Sequence, residues 1–110
     1  MTVAKNKNLF AVQADVCKAL ASPKRLEIIH LLSRSESHLA SDLAEALGLA
    51  KANLSQHMRV LLQVGMVNSE RKGNRVIYRI ASPKIGEACQ ILREFIAERF
   101  ARNGALLNDK

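Results

Sequence analysis

The sequence predicts a mainly α fold carrying one β-hairpin, in the order helix, helix, helix, helix, hairpin, helix. Three observations predict it. Apolar residues recur in successive stretches at the three-and-four spacing of amphipathic helices. Ser22-Pro23 and Ser82-Pro83 each supply an N-cap and a first-position proline, a strong helix-start signal. Between Met66 and Ile80 the period changes to two, around a turn at Lys72-Gly73-Asn74.

With 110 residues the chain is most simply one domain, expected over 9–102. Residues 1–8 and 103–110 are expected to be flexible tails. Leu9, Val12, Val16, Ala19 and Leu20 make the apolar stripe of the first helix, with Cys17 beside it. The second helix begins at Ser22-Pro23 and carries Leu26, Ile28, Ile29, Leu31 and Leu32. It is apolar over much of its surface, so it is expected at the centre of the core. Arg34 to Ser37 read as a polar loop.

Leu39 to Val64 is the stretch around which the rest is organised. Leu39, Leu43, Ala46 and Leu47 give a short helix its inward face, and Gly48 suits the left-handed cap that ends it. A second helix buries Leu54, Met58, Leu61 and Leu62. Subtracting those positions leaves Lys51, Asn53, Ser55, Gln56 and Arg59 facing outward near its start. Two helices joined this way form a helix-turn-helix, which places polar side chains in the major groove of DNA. The basic hairpin that follows makes it a winged helix-turn-helix. Beyond it, Ile85, Ala88, Cys89, Leu92, Phe95, Ile96 and Phe100 form the stripe of the last helix, ended by Asn103-Gly104.

The net charge of +7 favours a polyanionic partner, whether nucleic acid or an anionic membrane surface. Its placement favours nucleic acid. Lys51, Arg59, Arg71, Lys72, Arg75 and Arg79 face one intervening acid, Glu70, whereas Asp15, Glu27, Glu36 and Asp42 come earlier. No apolar run approaches the ~18 residues that span a bilayer. MTVAKNKNLF lacks the apolar core of a signal peptide, so the expectation is a cytoplasmic protein with Cys17 and Cys89 reduced.

Three segments together resemble the ArsR/SmtB family of winged-helix repressors: KALASPKRLEIIHLL, DLAEALGLAKANLSQHMRVLLQVGMV and RKGNRVIYRI. The resemblance spans roughly residues 9–100. It implies a homodimer joined through the first and last helices. It implies a near-palindromic operator in double-stranded DNA, released by an inducer such as a metal, an oxidant or a reactive sulfur species. The family's familiar sensor sites do not carry over. Leu39 and Ser41 stand where arsenical repressors have their Cys-Val-Cys pair. The last helix, Lys84 to Arg102, has no histidine for a zinc site of the usual type. His30 stands where persulfide sensors have their first cysteine.

The candidate DNA contacts are therefore Lys51, Asn53, Ser55, Gln56 and Arg59 on the second helix of the motif, with Arg71, Lys72, Asn74 and Arg75 at the hairpin tip. Asn and Gln can pair bidentately with adenine, and Lys or Arg with guanine or phosphate. His57 matches a family position near DNA; phosphate contact and packing against the wing are both open. A charged hairpin edge also has a plainer role, which is to block strand aggregation.

Cys17 and Cys89 fall on the two helices the family pairs at its interface. Within one subunit or across two, such a dithiol can oxidise, bridge sulfur, or bind a thiophilic metal such as arsenite or Cd(II). The plainer reading is two small buried apolar residues. Two thiolates without nearby histidine make a poor zinc site, so thiol redox or reactive-sulfur sensing is the expectation and no metal is assigned to His30, His38 or His57. No cofactor is expected. Nucleophile elbow, phosphate-cradling glycine loop and HExxH are all missing, which leaves an enzyme without support and a protein-interaction winged helix as the remaining alternative.

Overall fold

The computed structural model describes residues 8–103. The expected tails lie outside it, apart from Asn8 and Asn103. The elements are α1 (Leu9–Leu20), α2 (Pro23–Leu32), β1 (His38–Leu39), α3 (Ala40–Leu47), α4 (Lys51–Gln63), β2 (Val67–Lys72), β3 (Arg75–Ile80) and α5 (Pro83–Asn103). This is the expected helix order with one addition, the two-residue strand β1.

The helix starts follow their sequence signals. Asn8 caps α1 by accepting from the Ala11 amide at 2.7 Å, and Ser22 caps α2 by accepting from the Arg25 amide at 3.3 Å. Gly48, at φ 66, closes α3 in a Schellman turn. The Leu49 amide donates to the Ala44 carbonyl at 2.9 Å, and the Gly48 amide to that of Glu45 at 3.2 Å. Leu49 thereby turns back onto the core, half-buried.

β2 and β3 pair antiparallel from Val67↔Ile80 to Lys72↔Arg75, which leaves a two-residue turn at Gly73-Asn74. Gly73 has φ 62 and Asn74 a negative φ, the glycine-first pattern of a type II′ hairpin. β1 adds to the other edge of β3 through His38↔Tyr78 and Leu39↔Ile77, so the sheet order is β1-β3-β2. The wing is thus sewn to the chain entering α3.

The core is built by Ile28, Ile29 and Leu32 of α2, Leu43 of α3, Met58 and Leu61 of α4, and Val67 of β2. Tyr78, Leu54 and Met66 close it. Several expected faces shift. Leu39 belongs to β1, so α3 begins one residue later and buries Leu43, Ala44 and Leu47, with Ala40 half-buried. Those four sit at i, i+3, i+4 and i+7, a regular helical stripe, and Ala46 is exposed instead. Leu62 is 36% exposed because Leu54, Met58 and Leu61 already fill the inward arc of α4. Leu26 is 39% exposed, while Ile28, Ile29 and Leu32 supply the buried side of α2.

α5 packs on α2 at its start, where Ile85 and Cys89 are half-buried against the core. Further along, Ile91, Leu92, Phe95 and Ile96 are exposed, as are Leu9 and Phe10 of α1. No helix among the described residues is long and apolar enough to cross a membrane.

Candidate nucleic-acid interface

α4 is amphipathic by subtraction. Its inward arc is Leu54, Met58 and Leu61; at ~100° per residue, Ala52, Ser55, Gln56 and Arg59 share the opposite crest. All four are exposed, as are Lys51 and Asn53, which flank the crest on either side. Ala52 went unnoticed in the sequence because it is neither polar nor periodic. It puts one small apolar side chain among the polar ones of the exposed crest.

The wing folds over one flank of α4. A cleft of about 500 Å³ lies between them, lined by Lys51, Ser55, Arg71, Asn74 and Arg75. It brings together candidates from the helix and from the hairpin tip. Ser41, Val76 and Tyr78 also line it, and no carboxylate does. Lys72 is exposed at the same tip, 3.9 Å from Glu70.

The backbone around the cleft has its own character. α1 and α2 are capped by side chains, but α3 and α4 begin after Leu39 and Ala50 and have no side-chain cap. The first amides of both helices receive no side-chain acceptor, at the positive ends of their dipoles. Lys51, the first residue of α4, adds a cation to that positive end, which disfavours the free helix and favours an anion beside it.

His57 is half-buried, and its Nδ1 lies 3.3 Å from Nη1 of Arg25 on α2. A guanidinium only donates, so Nδ1 accepts and the ring proton sits on Nε2. Glu70 receives a 2.7 Å hydrogen bond from Arg79 across the hairpin. That bond, and then the charge of Lys72, hold its carboxyl below the ordinary value.

Cys17 is exposed on α1 and Cys89 is half-buried on α5; both are free thiols, with no bond joining them within the chain. Among the described residues no group of three or more His, Cys, Asp or Glu is placed to hold a metal ion. His30 and His38 have separate neighbours, Arg93 at 3.4 Å and Ser35 at 3.0 Å.

A helix-turn-helix with an exposed polar helix and an adjoining basic wing defines a winged-helix DNA-binding protein. Residues 22–69 match the family described as bacterial regulatory protein, arsR family. The chain is 36% identical over 101 residues to Rv0081 of Mycobacterium tuberculosis, described as an uncharacterized HTH-type transcriptional regulator. That alignment covers 92% of this chain and 89% of the relative. The crystal structure of Rv0081 superposes with a TM-score of 0.78 at 34% identity, covering 91% of this chain and 100% of that one. The solution structure of the homodimeric winged helix-turn-helix DNA-binding domain of Mb0332 from Mycobacterium bovis gives 0.77 at 30% identity, covering 86% of each chain. The HTH-type transcriptional repressor SmtB of M. tuberculosis is 32% identical over 75 residues, 68% of this chain and 55% of the relative. The protein belongs to the arsR family of bacterial regulatory proteins, and is a regulator and not an enzyme.

Proposed function

We propose that this protein is a homodimeric transcriptional repressor that binds a near-palindromic operator in double-stranded DNA and works in the cytoplasm. The observation that carries the reading is the single exposed surface formed by the crest of α4 and the basic wing, which meet at the cleft. In this reading Asn53, Gln56 and Arg59 meet base edges in the major groove. Lys51, Ser55, Arg71, Lys72 and Arg75 meet phosphates. His57 has its Nε2–H left to offer a phosphate while Arg25 holds Nδ1.

Dimerisation is supported by large apolar side chains that the single chain leaves in water. Leu9 and Phe10 are 80% and 81% exposed, and Ile91 and Leu92 are 66% and 59% exposed. Together with Phe95 they give α1 and α5 apolar surface of the sort that marks an interface. The homodimeric Mb0332 domain, which shares the fold, supports the same assembly.

The inducer acts, in this proposal, on Cys17 and Cys89. They are the chain's only cysteines, and they ride on the two helices that carry this apolar surface. Oxidising or bridging thiols there would change how two subunits sit, and with them the spacing of two recognition helices meant for half-sites about one turn apart. The test is a gel shift on the DNA upstream of the protein's own gene, comparing reduced protein with protein treated by oxidant, polysulfide, arsenite or Cd(II). Release by oxidant or polysulfide, lost in the Cys17→Ser, Cys89→Ser double variant, is the expected result. Release by arsenite or Cd(II) alone would turn the reading to a thiophilic-metal sensor. Release of the double variant like the parent would leave a winged-helix regulator without cysteine sensing.

A further inference from the structure

We propose that the cleft between α4 and the wing is a seat for one backbone phosphate of DNA, with the hydroxyl of Tyr78 as a donor to it. The proposal rests on the DNA-binding reading above and assigns that surface a residue the sequence did not single out.

The walls of the cleft are built for an anion. Lys51 comes from α4, and Arg71 and Arg75 come from the wing. Ala40 and Ser41 are the first residues of α3, and Lys51 is the first of α4, so two uncapped helix starts open on the same space.

Tyr78 is the independent observation. It is only 8% exposed, yet its hydroxyl makes no hydrogen bond among the described residues. Among the described residues no buried polar side-chain atom is sealed off without a partner, so this hydroxyl reaches solvent, and Tyr78 is one of the residues that line the cleft. Its backbone is held on both sides, by His38 of β1 and Ser69 of β2. The hydroxyl is a donor left free for a partner from outside the chain, which a Phe in the same place would not offer. Burial pushes the phenol above its ordinary value, which keeps the proton in place for donation. A phosphodiester offers what the site lacks: one negative charge and oxygens that accept from a phenol, guanidinium groups and backbone amides.

Tyr78 is the chain's single tyrosine, and there is no tryptophan. Protein carrying carbon-13 at the tyrosine Cζ therefore gives one resonance that reports this hydroxyl alone. The experiment compares parent, Tyr78→Phe and Ser41→Ala on a short duplex of arbitrary sequence and on the gene's own upstream DNA. Tyr78→Phe should weaken binding to both by the same factor, roughly three- to tenfold, the range of one lost hydrogen bond. Its salt slope should match the parent's, since no charge is removed, whereas Arg75→Ala should flatten it. The tyrosine resonance should move on binding duplex. It should move less when a neutral methylphosphonate replaces one particular phosphate, and that replacement should cost the parent more affinity than it costs Tyr78→Phe.

The proposal falls if the parent binds duplex and Tyr78→Phe binds equally well, or if no phosphate position couples to Tyr78. Should Tyr78→Phe fail to fold, Ser41→Ala and the parent's resonance still decide: a resonance unmoved by duplex overturns the seat. A resonance moved as far by sodium phosphate alone, with DNA affinity unchanged in both variants, would assign the cleft to a free anion and overturn the DNA assignment. A parent that binds no duplex at all would overturn the DNA-binding reading as well.

Discussion

Arg25 bridges His57 and the end of α1. Its Nη1 lies 3.3 Å from Nδ1 of His57, and its Nε donates to the Ala19 carbonyl at 2.6 Å. One planar fork on α2 thus fixes both the exit of α1 and the flank of α4 away from the cleft. Arg25→Lys keeps the charge but cannot reach two acceptors in that geometry. It should cost about 0.5–1.5 kcal/mol for the lost hydrogen bond, read by urea denaturation. DNA affinity should fall with it, because the tilt of α4 is no longer held from this side. An unchanged denaturation midpoint would show that the bridge carries nothing.

The bare start of α4 predicts opposite effects on stability and binding. Ala50→Asp supplies the missing cap and a charge suited to the helix dipole, and should stabilise the protein by roughly 1 kcal/mol, seen as a higher Tm. The same carboxylate would stand where phosphate is expected, so affinity for any duplex should drop. A variant that gains stability and binds DNA as before would separate this helix start from the interface.

Base reading and phosphate holding leave different signatures. Gln56 stands on the exposed crest and, unlike its neighbour Ser55, does not line the cleft. Gln56→Ala should relax sequence preference at one position, at ~1–3 kcal/mol for a lost bidentate contact. Competition binding against single-base variants of the operator measures it. Equal weakening on every sequence would instead move Gln56 to the phosphate class.

Glu70 tempers the wing. It is the one acid amid the basic run and ties down Arg79 and, more loosely, Lys72. Glu70→Gln should raise affinity for any duplex and steepen its salt dependence, as measured by anisotropy titrations over a salt series. Because the carboxyl is held below its ordinary 4.5, the ion pair is fully present above that value and is lost as pH falls through the lower folded-state value. Around neutral pH the difference in affinity between the parent and Glu70→Gln should therefore stay constant, and it should close only in acid. A difference that closes near neutrality would contradict the assignment.

Most of the architecture was legible because its signals are local. Ser22-Pro23, Ser82-Pro83 and the glycine at the wing turn act within a few residues, and they marked the elements the structure contains. β1 was not legible: two residues have no period, and its partners Tyr78 and Ile77 lie far along the chain. Reading Leu39 as helical then put Leu39 and Ala46 on the inward face of α3 in place of Ala40 and Ala44. Gly86 had no evident purpose in the sequence. A Cβ there would overlap Ser33 Oγ and come within 2.9 Å of Ser33 Cβ, a close approach of α5 to the end of α2 that no spacing announces. The polar face of α4 could be read by removing the buried positions. Ser41 and Tyr78 could not, since the cleft they line exists only once β3, α3 and α4 are packed together.

The uncapped first turn of α4 also sets a rhythm of opening and closing. The amides of Lys51, Ala52 and Asn53 have no acceptor within the helix, whereas that of Leu54 already donates to the Ala50 carbonyl at 3.0 Å. Hydrogen exchange with solvent should be fast at the first three and slow from Leu54 onward, through Met58 and Leu61. Phosphate oxygens arriving at that turn would slow it. The strongest new protection in a DNA complex would then fall on the end of the helix least committed to its own structure, and the reading end of the protein would finish folding on the molecule it reads.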